Sequence, residues 1–370
     1  MRRRNIKISL LLAAAAVSFI YLSGCADNPP LTADGECMLE ITALGNISLN
    51  ADAPHYVPMA NAEVILSSEY GIIECRTDEN GMLNLKNLPS SVYDINIKMR
   101  HPENPAILIT GDLLKISVTS ARIFTDTLFA AQIAGTGIAI NEIYAAGPIN
   151  DFTYYYDQYL ELYNYSDETK YLDGMIVCRF HDNKPIGGAG SDEGNDGDID
   201  GITLASKFPG KPGEKNYPFE PHTFKVLAVL AIDHRTRVPS SIDLSTADWE
   251  FYNPNKPNDF DNPNVPNIVN IRPDKDYDFN LNLMYDCLIL ATGEDINFSD
   301  GLDISTIIDG VEYRTDVTQR PGLDPRVDKS IIRNTSNFSG QSLQRREPGF
   351  DTNNGIMDWE IIPAPTPGRQ

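Results

Sequence analysis

This sequence has no cysteine or histidine pair at metal-ligand spacing. Its five cysteines are scattered, and His55, His101, His181, His222 and His234 recur at no interval that would set two imidazoles on one ion. The usual zinc sites are therefore excluded, and no His stands with a Ser or Cys from which a nucleophilic triad could be argued. Positive charge is also short, with 30 Lys and Arg against 52 Asp and Glu and a formal net charge of −22. Such a surface repels phosphate backbones and anionic headgroups, so nucleic-acid binding is disfavoured and cations or neutral ligands suit it better. The longest apolar run, residues 8–21, is shorter than the about 20 residues a spanning helix needs.

What that run does fit is a signal. Arg2, Arg3, Arg4 and Lys7 precede it and Leu22-Ser-Gly-Cys25 follows, the basic, apolar and small-residue order of a secretory leader. Leu22 to Cys25 resembles the lipobox of bacterial lipoproteins, which implies cleavage before Cys25 and acylation of Cys25. The expected location is then the cell envelope, held to the membrane through a lipid anchor that several acyl chains make firm. By the general sorting rule for such lipoproteins, Ala26 favours the outer membrane, in either its periplasmic or its surface-exposed leaflet. Residues 1–24 are read as the signal peptide, whose removal takes four basic residues and leaves the mature chain at −26. Residues 25–36, with Pro29-Pro30 and Asp34-Gly35, read as an extended tether.

Hydrophobic content of 41% suffices for ordinary cores, and the length suggests two domains. The expected class is all-β, two tandem antiparallel sandwiches at 37–133 and 137–370. In the first, Tyr93, Ile95, Ile97 and Met99 alternate with Asp94, Asn96, Lys98 and Arg100, and Leu114, Ile116 and Val118 alternate with polar neighbours, the period of half-buried strands. Glu79-Asn-Gly81 and Leu88-Pro-Ser-Ser91 supply turns. Ala60 to Leu66, Thr77-Asp-Glu-Asn-Gly81, Leu85-Lys-Asn-Leu-Pro89 and Val92-Tyr93 resemble the carboxypeptidase-regulatory-like, transthyretin-like module, with Ser91 where that family usually has Gly. The resemblance implies a spacer without chemistry of its own, with Asp78 and Asp94 as turn and solvent-face residues.

In the second, Ile138-Ala-Ile-Asn-Glu-Ile-Tyr144, Tyr159-Leu-Glu-Leu-Tyr-Asn164 and Tyr171-Leu-Asp-Gly174 open the segment, and Ser342-Leu-Gln-Arg345, Asp351-Thr-Asn-Asn354, Asp358-Trp359 and Thr366-Pro-Gly368 close it. These resemble the lamin-tail domain, an immunoglobulin-like sandwich. Between them, residues 224–232 are nearly all apolar, as a strand covered on both faces would be. Cys287-Leu-Ile-Leu-Ala291 reads as another core strand, and Ile307 to Tyr313 carries an Asp-Gly pair that favours a tight hairpin.

Four cysteines remain after lipidation. Cys37 and Cys75 fall in the first segment and Cys178 and Cys287 in the second, as two local disulfides in an oxidising envelope or as four free buried thiols. Asp196, Asp198 and Asp200 at alternate positions, followed by Gly201, reproduce the start of a calcium loop, with Asp192 and Glu193 as further ligands. Lys207 replaces the closing Glu of that loop, which excludes a helix-loop-helix sensor. A long stretch over 239–278 carries Trp249, Phe251 and Tyr252 among Asn, Asp and Pro, and Phe152-Thr-Tyr-Tyr-Tyr156 adds more rings. Trp249, Tyr252 and Tyr155 are the candidate contacts for a glycan or peptide, against the alternative of an ordered cap. Glu142 and Glu161 would be the acid-base pair of a glycan hydrolase, but their place in the fold-defining strands favours a structural role.

The expected function is non-enzymatic binding of a nutrient ligand or a receptor partner, with a structural or adhesive surface protein as the alternative. The pair of modules resembles a family of outer-membrane lipoproteins, which implies a TonB-dependent receptor as partner.

Overall fold

The computed structural model describes residues 35–48, 53–104, 107–133, 135–180, 196–256, 259–272, 274, 278–317, 319 and 321–370. Cys25 with the signal segment, and Asp192 and Glu193, lie outside the described residues. Among the described residues the regular structure is almost wholly strand, with one short α-helix, Gly355–Asp358, and none long and apolar enough to cross a membrane.

The N-terminal unit is an eight-stranded sheet folded over one core. Cys37–Asn46 has Met82–Leu88 and Tyr56–Pro58 on one edge and Phe124–Ile133, in parallel, on the other. Over Ala131–Ile133 that last strand crosses to pair with Leu108–Val118, which continues through Ser91–Arg100 and Glu63–Ser68 to Gly71–Arg76. Leu39, Ile41, Leu66, Tyr93, Ile95, Ile97 and Ile109 fill the interior, each such side chain contributing about 1.5–3 kcal/mol by burial. The Glu79-Asn-Gly81 turn forms as expected: the Asp78 carboxylate accepts from the N–H groups of Asn80 and Met82 at 2.8 Å each, and Gly81 adopts φ +71°.

The alternation at Leu114 fails for a local reason. Tyr93 pairs with Ile116 but Ile95 with Leu113, so Leu114 and Lys115 both face the single residue Asp94. The bulge is pinned by the Lys115 N–H on Asp94 Oδ1 at 2.6 Å, with Lys115 at φ +57°. Such a one-residue insertion flips the side-chain phase. Leu113 turns to the core in place of Leu114, which is 51% exposed.

The C-terminal unit is one twelve-stranded sheet that curls into two layers. Its order runs Ile332–Arg333, Ile307–Arg314, Tyr285–Ala291, Ile176–Phe180, Ile202–Lys207, Asn267–Asn270, Trp249–Tyr252, Phe224–Ala228, Tyr159–Asn164, Ile138–Tyr144, Ser342–Arg345 and Trp359–Ile362. The layers meet where the Ile140 N–H donates to Asp309 Oδ2 at 2.7 Å, and a shared core joins Ile140, Leu160, Leu227 and Leu343 to Val177, Leu204, Leu290 and Val311. The chain is all-β as expected and most strand pairs are antiparallel, but Phe224–Ala228, Trp249–Tyr252 and Asn267–Asn270 run parallel to one another. The stretch 239–278 thus supplies two strands to the middle of the sheet. The Asp309-Gly310 pair forms no hairpin: both lie inside the continuous strand Ile307–Arg314. Gly310 is needed there because a Cβ would come within 2.4 Å of Val327 Cγ1.

The two units dock. Lys98 Nζ lies 3.9 Å from the centre of the Phe350 ring, Asn354 Nδ2 donates to Asn96 Oδ1 at 2.6 Å, and Arg100–Glu347 and Lys329–Asp112 form ion pairs at 2.7 Å. The polar face of Ser91–Arg100 is consequently an interface, with Asn96 and Lys98 buried.

Candidate functional site

The aromatic residues expected to contact a ligand are mostly structural. Trp249 is 5% exposed, and its ring packs edge-on against Phe208 and Tyr217 at 5.0 and 5.3 Å. The Trp249 expectation is therefore overturned, since a parallel central strand buries the side chain on that face. Tyr252 is half-buried beside a hollow of about 10 Å³ shared with Ser206, Asn253 and Asn270, far below the size of a ligand pocket. Tyr155 stacks on Tyr156 with ring centres 4.9 Å apart, while the neighbouring Tyr154 hydroxyl bonds His234 Nδ1. These three expected contacts share no cavity.

The acidic run does not gather on a point either. Asp198–Ile199 is a short extended strand paired with Leu302–Asp303. Desolvation raises the Asp198 pKa, and the like charges of Asp196, Asp303, Asp295 and Asp300 around it add to the rise. Asp295 and Asp303 are already engaged in capping backbone N–H groups. Among the described residues no three acidic, thiol or imidazole side chains are placed to hold a metal ion; Asp192 and Glu193, the further ligands expected beside Asp196, Asp198 and Asp200, lie outside the described residues.

The disulfide alternative is likewise overturned, for Cys37, Cys75, Cys178 and Cys287 are all free thiols. Cys178 pairs with Ile289, so Cys287 sits diagonally across the strand pair. That diagonal spans about 7–8 Å, beyond the usual reach of a disulfide. Burial raises the pKa of Cys75 to about 11 and those of Cys178 and Cys287 further, which keeps the thiols protonated and inert.

Glu142 and Glu161 face each other directly across adjacent strands and are fully buried. Their oxygens hold the chain's own tail. The Thr366 N–H and hydroxyl donate to Glu142 at 3.0 and 2.9 Å, and the Gly368 N–H donates to Glu161 Oε2 at 2.6 Å. Asn141 Nδ2 adds a bond to Glu161 Oε1 at 3.2 Å. Burial, opposed by the Gly368 bond and assisted by the Glu142 charge, raises the Glu161 pKa to about 8. A glycoside would find no open cleft at this pair.

An open cleft exists on the other layer. It has a volume of about 160 Å³, and its polar lining comes from Thr136, Tyr165, Asp309, Arg326, Asp351 and Asn353. The linker between the units brings Thr136, whose hydroxyl donates to the carbonyls of Ile138 and Ile308. Behind it lies Arg345, 1% exposed, reaching Asp309, Asp351 and Asp358 at 2.8, 3.3 and 3.5 Å. Asp309 Oδ2 accepts from both Ile140 N–H and Arg345 Nη2, while Oδ1, equally buried, has no partner. Burial raises the Asp309 pKa against the opposing pull of Arg345. A buried acceptor left unpaired costs about 1–3 kcal/mol, which offsets part of what the Arg345 network contributes.

Residues 220–297, from just before Phe224–Ala228 to just beyond Tyr285–Ala291, match the model of one protein family. That family is described as protein of unknown function (DUF4876). Among solved structures, a DUF4876 family protein from Bacteroides thetaiotaomicron aligns over 87% of this chain and 94% of its own, at 16% identity and a TM-score of 0.49. A candidate carbohydrate-binding protein from Bacteroides uniformis aligns over 40% and 62% at 10% identity and a TM-score of 0.17. The fimbrial protein FimP from Actonomyces oris aligns over 42% of each chain at 10% identity and a TM-score of 0.18. No curated protein is significantly similar in sequence.

The cleft residues were not singled out as a site by the sequence. Asp309 belongs to the pair read as a hairpin, and Asp351 and Asn353 to a closing segment read for its family likeness. No spacing ties them to Tyr165 or Arg326, because sheet curling brings them together.

Proposed function

We propose that this is a non-enzymatic, lipid-anchored binding protein of the cell envelope that holds a small polar nutrient ligand, a glycan or a peptide, in the cleft between Tyr165 and Asp309. The observation that carries this reading is the cleft itself: an open hollow of about 160 Å³ on which the polar groups of Thr136, Tyr165, Asp309, Arg326, Asp351 and Asn353 converge beside an aliphatic wall, the mixed lining of a small-ligand site. The leader ending at Cys25 and the resemblance to lipoproteins with this module pair support the location, and a TonB-dependent receptor as partner. The clamped Thr366-Pro-Gly368 tail supports the lamin-tail likeness. The test is thermal unfolding of the full chain against a panel of glycans and peptides, since a ligand of the native state raises its stability. A melting-temperature rise that Ile304→Trp abolishes by filling the cleft is expected; a rise that survives that substitution places the ligand elsewhere.

A receptor-docking reading has one observation of its own. Phe152 is 74% exposed beside exposed Ile149 and Tyr156, an apolar tip of the kind that partners cover. It becomes the better reading if no small ligand shifts the melting temperature.

A further inference from the structure

The cleft and the contact between the two units are built from the same segments. Three of them line the cleft: Gly135 and Thr136 of the linker, Arg326 with Val327, and Asp351 with Asn353. The linker joins the units covalently, and each of the other two segments holds the N-terminal unit a few residues away. Lys329 pairs with Asp112 at 2.7 Å, and Arg346 and Glu347 pair with Glu74 and Arg100 at 3.2 and 2.7 Å. Phe350 and Asn354 cover Lys98 and Asn96. The two segments are also tied to each other, since the Lys329 N–H donates to the Asn353 carbonyl at 2.9 Å and Asn353 Nδ2 donates to the Arg326 carbonyl at 3.2 Å. At Gly349, with φ +66°, the chain passes so close to Tyr165 of the cleft that a Cβ would come within 2.5 Å of the Tyr165 Cβ. A displacement of the N-terminal unit therefore pulls on the cleft walls.

The contact itself is of a kind that parts. Its bonds are mostly ion pairs and an amide pair, and Arg100 and Glu347 are 50% and 46% exposed. Polar contacts of this type between domains of one chain are separable, because water replaces what separation breaks. Resting on the cleft being the binding site, we propose that the cleft and this contact form one hinge: an occupant of the cleft tightens docking of the N-terminal unit, and parting of the units opens the cleft. An occupant that bears on Thr136, Arg326 and Asp351 together fixes the three segments that undocking would release, so undocking gains less freedom and becomes rarer. By linkage, loosening the contact weakens binding of that occupant. The N-terminal unit is then part of the binding device rather than a spacer.

Lys98 reports the docked state. Its side chain is 4% exposed beneath Phe350, so an acylating reagent reaches the amine when the units part, at a rate that follows the open population. Lys115 of the same unit, 81% exposed, and Lys225 of the other unit are the internal standards. Trace acetylation of the full chain, read by peptide mass spectrometry, is the test. Arg100→Glu sets like charges together at Glu347 and is expected to raise the Lys98 rate about fivefold, while Ile304→Trp, whose indole occupies the cleft, lowers it about fivefold, the lower end of ordinary coupling between sites. Ile304→Phe serves if the Trp variant does not fold. A Lys98 rate in the cleft-filled variant at or above the parent's, with Lys225 unchanged, overturns the hinge and leaves the cleft as the binding site. So does an unchanged Lys98 rate in Arg100→Glu. Leucyl-glycyl-glycine and maltotriose separate the two readings: a probe whose melting-temperature rise Ile304→Trp abolishes, yet which leaves the Lys98 rate as it was, sinks the hinge alone. Slowing by Ile304→Trp with neither probe bound supports the hinge and overturns the cleft as a site for such ligands.

Discussion

Two groups of carboxylates are buried in the C-terminal unit to the same depth, and they are resolved in opposite ways. Glu142 and Glu161 face one another with no cation between them, and their oxygens are taken up by backbone and side-chain donors of the tail. Asp309 and Asp358 share one guanidinium, and an acceptor remains over. The first arrangement is closed: every group is answered from within the chain, so it fastens a terminus. The second is less complete: one cation serves several acids, burial pushes Asp309 and Asp358 toward the neutral form, and one oxygen is left without a donor. Burial alone distinguishes neither; the count of donors does.

The largest test of this contrast removes the cation. Arg345→Met leaves three carboxylates near one another without a counter-charge, for which a loss of about 3–5 kcal/mol in denaturant unfolding near neutral pH is expected. A loss under about 1 kcal/mol would mean that protons already neutralise the acids and that the network carries no surplus charge.

A second test asks whether the closed pair is held by a proton. The Glu161 pKa stands at about 8 in the fold against an ordinary 4.5 for a glutamic acid. The folded state therefore binds a proton that the unfolded chain has released. Its contribution to stability is fully present below about pH 4.5 and is lost as pH rises through about 8. Gln resembles the protonated acid in shape and hydrogen bonding. Glu161→Gln should match the parent near pH 4 within about 1 kcal/mol and exceed it by a few kcal/mol near pH 9. Parallel stability curves across that window would show that Glu161 titrates in the fold as it does in the unfolded chain.

Local rules carried the sequence reading where one layer of packing decides the outcome. Tyr93, Ile95 and Ile97 are core because alternation fixes a strand's phase, and Gly81 turns because Asp78 can cap the backbone there. The reading failed where a second surface decides. Asn96 and Lys98 look like solvent-face residues until Phe350 and Asn354 cover them, and no local pattern announces a partner some 250 residues away. Trp249 sits among Asn and Pro residues that suggest a loop, yet the sheet claims it as a central strand. Asp309-Gly310 has hairpin chemistry, but Gly310 serves the approach of Val327 instead. Glu142, Glu161 and the Thr366-Pro-Gly368 tail were visible as separate motifs; that the tail closes over the pair is a product of curling.

The smallest test separates a single donor from the closed pair. The Thr366 hydroxyl donates to Glu142 Oε2 and stands 2.7 Å from Gln344 Nε2, from which it accepts. Thr366→Val keeps the volume and the backbone N–H bond to Glu142 but leaves both side-chain groups one partner short. The tail lies near the surface, where water can replace part of the loss, so the expected cost is about 1 kcal/mol, read as a shift of the denaturation midpoint at unchanged slope. A cost as large as that of Arg345→Met would mean that the tail clamp, like the Arg345 network, stands or falls as a unit. No cost at all would mean that the backbone N–H of Thr366 is sufficient to answer Glu142, and the two buried acid groups would then differ even more sharply in how many donors each requires.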